Sequence, residues 1–96
     1  MENLNKGYFK VPYIDISRYE FEADIVKEIP EELARAYHVV AMDKTEYYIT
    51  VAIASLDKPY VVNILEKKLN KRIFLILADE IEVIKVINEY YKKVGV

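Results

Sequence analysis

His38 is the only side chain in the sequence whose ordinary pKa lies near neutrality, which makes it the first candidate for proton transfer or pH sensing. A His that activates a nucleophile needs that nucleophile within reach and a third group to orient the ring. No such partner is visible in the spacing around His38. It falls between a helical run and a strand-like run, where a His commonly caps the last helical carbonyls, and that is the role we assign it. Two carboxylate pairs come next, Asp15 with Asp24 and Glu31 with Glu32. Nothing in the sequence brings either pair across a cleft. Adjacent residues on a helix point about 100° apart, and Glu31 and Glu32 fit better as first-turn acids that complement the helix dipole. The third candidate is Lys67, Lys68, Lys71 and Arg72, the densest basic patch in the chain. It suits a phosphate or an acidic partner, although such a group at a helix end is more often a solvated face.

What is absent narrows the chemistry further. The 96 residues contain no Cys, no Trp, one His and two glycines, Gly7 and Gly95. Without Cys there are no disulfides, thiolate nucleophiles or zinc ribbons. One His excludes a His-paired metal site within a single chain. Two glycines, one near each end, leave no loop to cradle a phosphate, and no cofactor is expected. Acids outnumber bases 16 to 14, a net charge of −2, which disfavours nucleic acid as a partner. MENLNKGYFK has no apolar segment of a signal peptide. The longest apolar run, Ile73 to Ala78, is far short of the roughly 20 residues that span a membrane, so no direct membrane insertion is expected and the chain reads as cytoplasmic. Lys, Glu and Ile are abundant and Gln is absent, a pattern that fits a thermophile and fits an AT-rich genome as well.

These residues must be held by one small domain, since the length allows only one. Residues 1–11 read as an extended, flexible lead-in, and 12–96 as a single α+β domain. Glu22–Glu28 carries a short helical pattern. Pro30 is placed in the first turn of a second helix, PEELARAYH, where its missing N–H costs nothing. Val39–Met42 and Tyr47–Ala54 form a β-hairpin around Asp43–Glu46. In the second strand Ile49, Val51 and Ile53 point one way and Tyr48, Thr50, Ala52 and Ala54 the other. The small residues on that second face predict a closely packed helix. Asp57 is expected to cap the next helix, with Pro59 in its first turn. Lys67, Lys68 and Lys71 lie near that helix's C-terminus. The unbroken apolar strand Arg72–Ala78 predicts burial on both faces. In the last helix Asp79 and Glu82 form a capping-box pattern, the apolar face is wide and reaches Val94, Glu89 and Lys93 are spaced as an ion pair, and Gly95 follows as a C′ residue. The predicted order is α-α-β-β-α-β-α, a small three-stranded sheet with packed helices.

Nine tyrosines are the least ordinary part of the composition. Tyr buries a large area while keeping a polar tip, and it is enriched at protein interfaces. Tyr19, Phe21 and Tyr37, on a surface formed by the first two helices, are the candidate partner-binding residues, and their burial would count against that role.

Pro12 to Tyr91 resembles the N-terminal domain of the ATPases that drive type II secretion and type IV pilus assembly. The matching stretches are PYIDIS (12–17), IPEELARAY (29–37), ITVAIA (49–54) and Tyr90-Tyr91. The chain departs from the family in having Ala41 where a Pro often follows the first strand's apolar pair, and in placing Ser55-Leu56 before Asp57 in place of an immediate Asp-Pro. The resemblance implies a non-catalytic module, with ATPase activity and Walker motifs in a separate domain. Its implied partner is a platform protein's cytoplasmic domain, which would hold the chain peripherally at the inner membrane. Some relatives bind cyclic di-GMP through a repeated motif containing R-L-G. None of Arg18, Arg35 and Arg72 precedes Leu-Gly, so that ligand is disfavoured and no family nucleotide residue maps onto this sequence.

Three functions follow as expectations. The first is a docking or regulatory domain of a secretion or pilus ATPase, or a stand-alone homologue. The second is a cyclic-dinucleotide sensor at the 67–72 patch. The third, a small enzyme, requires a pocket beside His38.

Overall fold

A proline at the entrance and a left-handed residue at the exit set the length of each of the two middle helices. In the computed structural model, which describes residues 11–91, α2 runs Glu31–Tyr37 between Pro30 and His38, and α3 runs Tyr60–Leu69 between Pro59 and Asn70. His38 and Asn70 have φ of 52° and 57°, and their N–H groups donate to the carbonyls of Ala34 and Glu66. Asn and His tolerate this conformation better than most residues. Both prolines stand at the cap position, one residue earlier than expected. The remaining elements are α1 (Ala23–Val26), β1 (Val39–Lys44), β2 (Tyr48–Ile53), β3 (Arg72–Leu77) and α4 (Glu80–Tyr90). The order and the small α+β fold match the sequence reading. Of the predicted lead-in only Val11 is described. The Glu89–Lys93 pair, the Val94 position and the Gly95 cap lie outside the described residues.

Two predicted caps are corrected. Asp57 does not cap α3; its carboxylate accepts from the Ser55 hydroxyl at 2.9 Å and its N–H donates to the Ser55 hydroxyl at 3.2 Å, closing a turn ahead of the helix. Pro59, with αR dihedrals, occupies the cap position. Asp79 stands where predicted, but its side chain makes no capping bond. The capping box is therefore not formed, and the Asp79 carbonyl receives the Val83 N–H at 3.0 Å.

The sheet order is β1-β2-β3, with β1 and β2 antiparallel and β2 and β3 parallel. The hairpin turn is tied by Thr45, whose hydroxyl accepts from the N–H groups of Tyr47 and Tyr48. A parallel pair needs a crossover, and α3 supplies it. Pro12–Ile14 runs along the outer edge of β3: Leu77 N–H donates to the Pro12 carbonyl at 2.8 Å and Ile14 N–H to the Leu77 carbonyl at 2.9 Å.

The two faces of the sheet differ. Val39, Ala41, Ile49, Val51 and Ile53 share one face, and all are buried. On the other face Val40, Ala52 and Ile76 are buried, whereas Tyr48 and Phe74 are 51% and 55% exposed. The predicted close packing over the small residues holds at Ala52 and stops before Thr50, which is half-buried. The prediction that β3 is buried on both faces fails for Arg72 and Phe74. β3 is an edge strand, and its unbroken apolar run extends past the helices that cover the sheet.

Tyr91, just past α4, closes the core against the first two helices. Its hydroxyl lies 2.6 Å from the Val26 carbonyl oxygen and 2.5 Å from that of Ile29, so the one proton is shared between two buried acceptors. Burial, and secondarily the charge of Glu31, pushes its pKa up to about 12, against a smaller opposing effect of Arg35. Arg35 joins α2 to α4 at the surface, donating to the Glu31 carboxylate at 2.8 Å and to the Asn88 side-chain carbonyl at 3.0 Å.

Candidate functional site

The segment before α1 turns at Ser17 and Arg18, where Asp15 holds the backbone. Its carboxylate accepts the Ser17 N–H at 3.0 Å, and the hydrogen bonds from Ser17 hold its pKa below the ordinary value. Ile16 enters the core, and Tyr19 and Phe21 follow on the surface side of α4. They therefore lie ahead of the first helix, not on it. Their rings meet edge to face at 4.8 Å, and Phe21 reaches Tyr90 at 6.4 Å. The Tyr19 hydroxyl donates to the Met42 carbonyl at 2.7 Å, at the bulge between Ala41 and Asp43 in β1. A carbonyl at a bulge is free of ladder pairing, and Tyr19 satisfies it. Partial burial raises the Tyr19 pKa, with further contributions from Asp43 and Glu22. The Tyr90 hydroxyl donates to the Phe21 carbonyl at 3.1 Å.

A cleft of about 490 Å³ opens between this segment and α4, walled by Tyr19, Phe21 and Tyr90 with Glu20, Lys85 and Glu89 at its rim. Tyr19 is 41% exposed, while Phe21 is half-buried against the core. Tyr37 does not join them. It sits on α2, half-buried, edge to face with Tyr60 at 6.2 Å. Of the three candidate partner-binding residues the fold brings two together, and one of those is exposed.

The four basic residues also divide. Lys71 clamps the hairpin turn, with its ammonium 3.2 Å from the Thr45 carbonyl oxygen and 2.9 Å from that of Glu46. Arg72 opens β3 beside Tyr48. Lys67 and Lys68 end α3 and flank an apolar groove of about 440 Å³ between α2 and α3, lined by Pro30, Leu33 and Ile64 with Glu32. The helix ends in between, at Asn70, and the turn sends the two pairs to different surfaces. The sequence places all four within a span of six residues and so conceals this division.

A cleft of about 220 Å³ does adjoin His38, lined also by Ser55, Asp57, Lys58 and Glu80. The His38 Nδ1 lies 3.3 Å from a Glu80 carboxylate oxygen, and the Ser55 hydroxyl is turned to Asp57. Imidazole and hydroxyl have separate partners, so these residues form no nucleophile–base relay. Among the described residues no group of three or more His, Cys, Asp or Glu side chains is placed to hold a metal ion, and no helix is long and apolar enough to cross a membrane.

Known proteins share this fold. The chain is 28% identical over 92 residues to the type IV pilus assembly ATPase PilB of Myxococcus xanthus (strain DK1622), a match that covers 96% of this chain and 16% of PilB. The structure of MshE with cdg superposes with a TM-score of 0.78 at 21% identity, covering 88% of this chain and 61% of that one. The N-terminal domain of XpsE superposes at 0.70 with 15% identity, covering 86% and 59%. The chain thus spans about a sixth of the curated relative and about three-fifths of each structural neighbour. The MshEN domain model matches residues 9–95, nearly the whole sequence, and the chain belongs to the MshEN domain family.

Proposed function

We propose that the chain is a docking domain of a type II secretion or type IV pilus assembly ATPase, cytoplasmic and held at the inner membrane through a platform protein. The observation that carries this reading is the family match over residues 9–95, joined to a pilus assembly ATPase as a relative. The chain contributes no hydrolytic step: its two glycines stand near its ends, and a phosphate-cradling loop needs several together. ATP hydrolysis belongs to a different domain of such an ATPase.

Two surfaces suit a protein partner. One is the Tyr19–Phe21 cleft beside α4, where an exposed aromatic stands in a charged rim. The other is the α2–α3 groove, where Lys67 and Lys68 border apolar side chains and favour an acidic partner segment. Capture experiments with the cytoplasmic domains of platform proteins test the reading. Binding that weakens on Tyr19→Ala or Lys67→Glu supports it, and no binding to any platform domain removes it.

A second reading rests on one comparison. MshE, with the same fold, was solved with cdg, cyclic di-GMP. The missing R-L-G motif is therefore insufficient ground for dismissing a cyclic dinucleotide. Titration calorimetry with cyclic di-GMP decides it: saturable heat establishes a sensor, and no heat or chemical-shift change at millimolar ligand leaves docking alone.

A further inference from the structure

Three strands place an acid, two aromatics and a base together at the open end of the sheet. Asp43 in β1 pairs with Thr50 in β2, and Thr50 pairs with Phe74 in β3. One step along, Tyr48 pairs with Arg72. Directly opposed residues point to the same face, so all five lie together on one face, at its less covered end. Tyr48 and Phe74 are exposed. Asp43 and Arg72 are exposed too, and neither has an ion-pair partner among the described residues. Further along the same face Val40, Ala52 and Ile76 are buried by the chain itself.

We propose that this face pairs with a second copy of the chain. The argument is charge complementarity. The acid lies on one edge strand and the base on the other, on opposite sides of the diagonal from Tyr48 in β2 to Phe74 in β3. A two-fold axis along that diagonal turns one sheet over onto the other and exchanges the positions of the acid and the base. Asp43 of each copy then faces Arg72 of the other, and Tyr48 and Phe74 meet their counterparts along the axis. Such an interface is isologous: each contact occurs twice. Sheets packed face to face lie about 10 Å apart, a spacing that interleaved aromatic side chains fill. The patch is small beside standard interfaces, so the dimer dissociates on dilution. This pairing is independent of the docking function and of the surfaces assigned to it.

Sedimentation equilibrium of the 96-residue chain, from micromolar to millimolar concentration, tests it. Dimer mass is expected at the upper end and monomer in high salt. Arg72→Asp and Asp43→Arg each abolish the dimer by opposing like charges, and the double exchange restores it. Phe74→Lys abolishes it without rescue. Circular dichroism confirms that each variant is folded. A chain that stays monomeric throughout overturns the proposal. So does a dimer that survives Phe74→Lys, or a double variant that fails to recover, because each places the contact elsewhere. A different protein bound at Phe74, with no self-association, overturns it as well.

Discussion

The Tyr91 hydroxyl donates to the Val26 carbonyl, 65 residues earlier in the chain, at 2.6 Å. The same proton is shared with the Ile29 carbonyl at 2.5 Å, so one side chain fastens the end of α4 to the step between α1 and α2. Val26 and Ile29 are themselves fully buried. The Val26 carbonyl also accepts the Ile29 N–H at 3.3 Å, and the phenol is the side-chain donor that reaches both buried carbonyls.

Tyr91→Phe keeps the ring and removes the donor. Leaving a buried acceptor unsatisfied costs about 1–3 kcal/mol, and the loss is expected within that range in urea unfolding at neutral pH. An unchanged midpoint would show that water replaces the phenol.

Alkaline stability follows from the same group. In the unfolded chain a Tyr titrates near 10, and in the fold Tyr91 is held up to about 12, chiefly by burial. Between those values the folded state retains a proton that the unfolded state has released. The stabilisation is therefore complete below about pH 10 and is lost as pH rises toward 12. Melting temperature measured across this window should fall, and the fall should be shallower in Tyr91→Phe. Equal slopes in both proteins would exclude Tyr91 as the group responsible.

The bulge contact of Tyr19 gives a smaller expectation. Its hydroxyl donates to the Met42 carbonyl at a half-exposed site, where water competes. Tyr19→Phe should cost about 0.5–1.5 kcal/mol. The change should accelerate hydrogen exchange at the Ala41–Asp43 bulge more than in β3, and uniform acceleration would argue against a local role.

Much of the fold was legible in the sequence, for a physical reason. Periodic apolar residues locate helices and strands, and the Pro30 and Pro59 positions mark helix entrances to within a residue. The caps were less legible. Asp57 prefers the near hydroxyl of Ser55, a local bond that competes with the helix. The αL exits at His38 and Asn70 carry no glycine to announce them. β3 misled because an apolar run says what a strand could bury, and only the extent of the helix layer decides what it does bury. The candidate site was legible as residue types and not as groups. Tyr19 and Phe21 come together ahead of α1, while Tyr37 goes to Tyr60, since each direction is set by tertiary contacts that spacing does not encode.

The basic residues supply the last expectation, because the fold gives them unlike roles. Lys71 holds the hairpin turn by two carbonyls, whereas Lys67 and Lys68 are exposed beside the α2–α3 groove. Lys71→Met should therefore destabilise the domain by up to about 1 kcal/mol and loosen the Thr45–Tyr48 turn. Lys67→Glu with Lys68→Glu should alter stability by no more than about 0.5 kcal/mol, as surface substitutions do. If the groove receives an acidic partner, that double reversal should slow association and reduce its salt dependence. Thermal melts and binding rates at two ionic strengths separate the roles. Equal destabilisation by both changes would mean that the four cations act as one structural cluster, and would remove the groove as a docking surface.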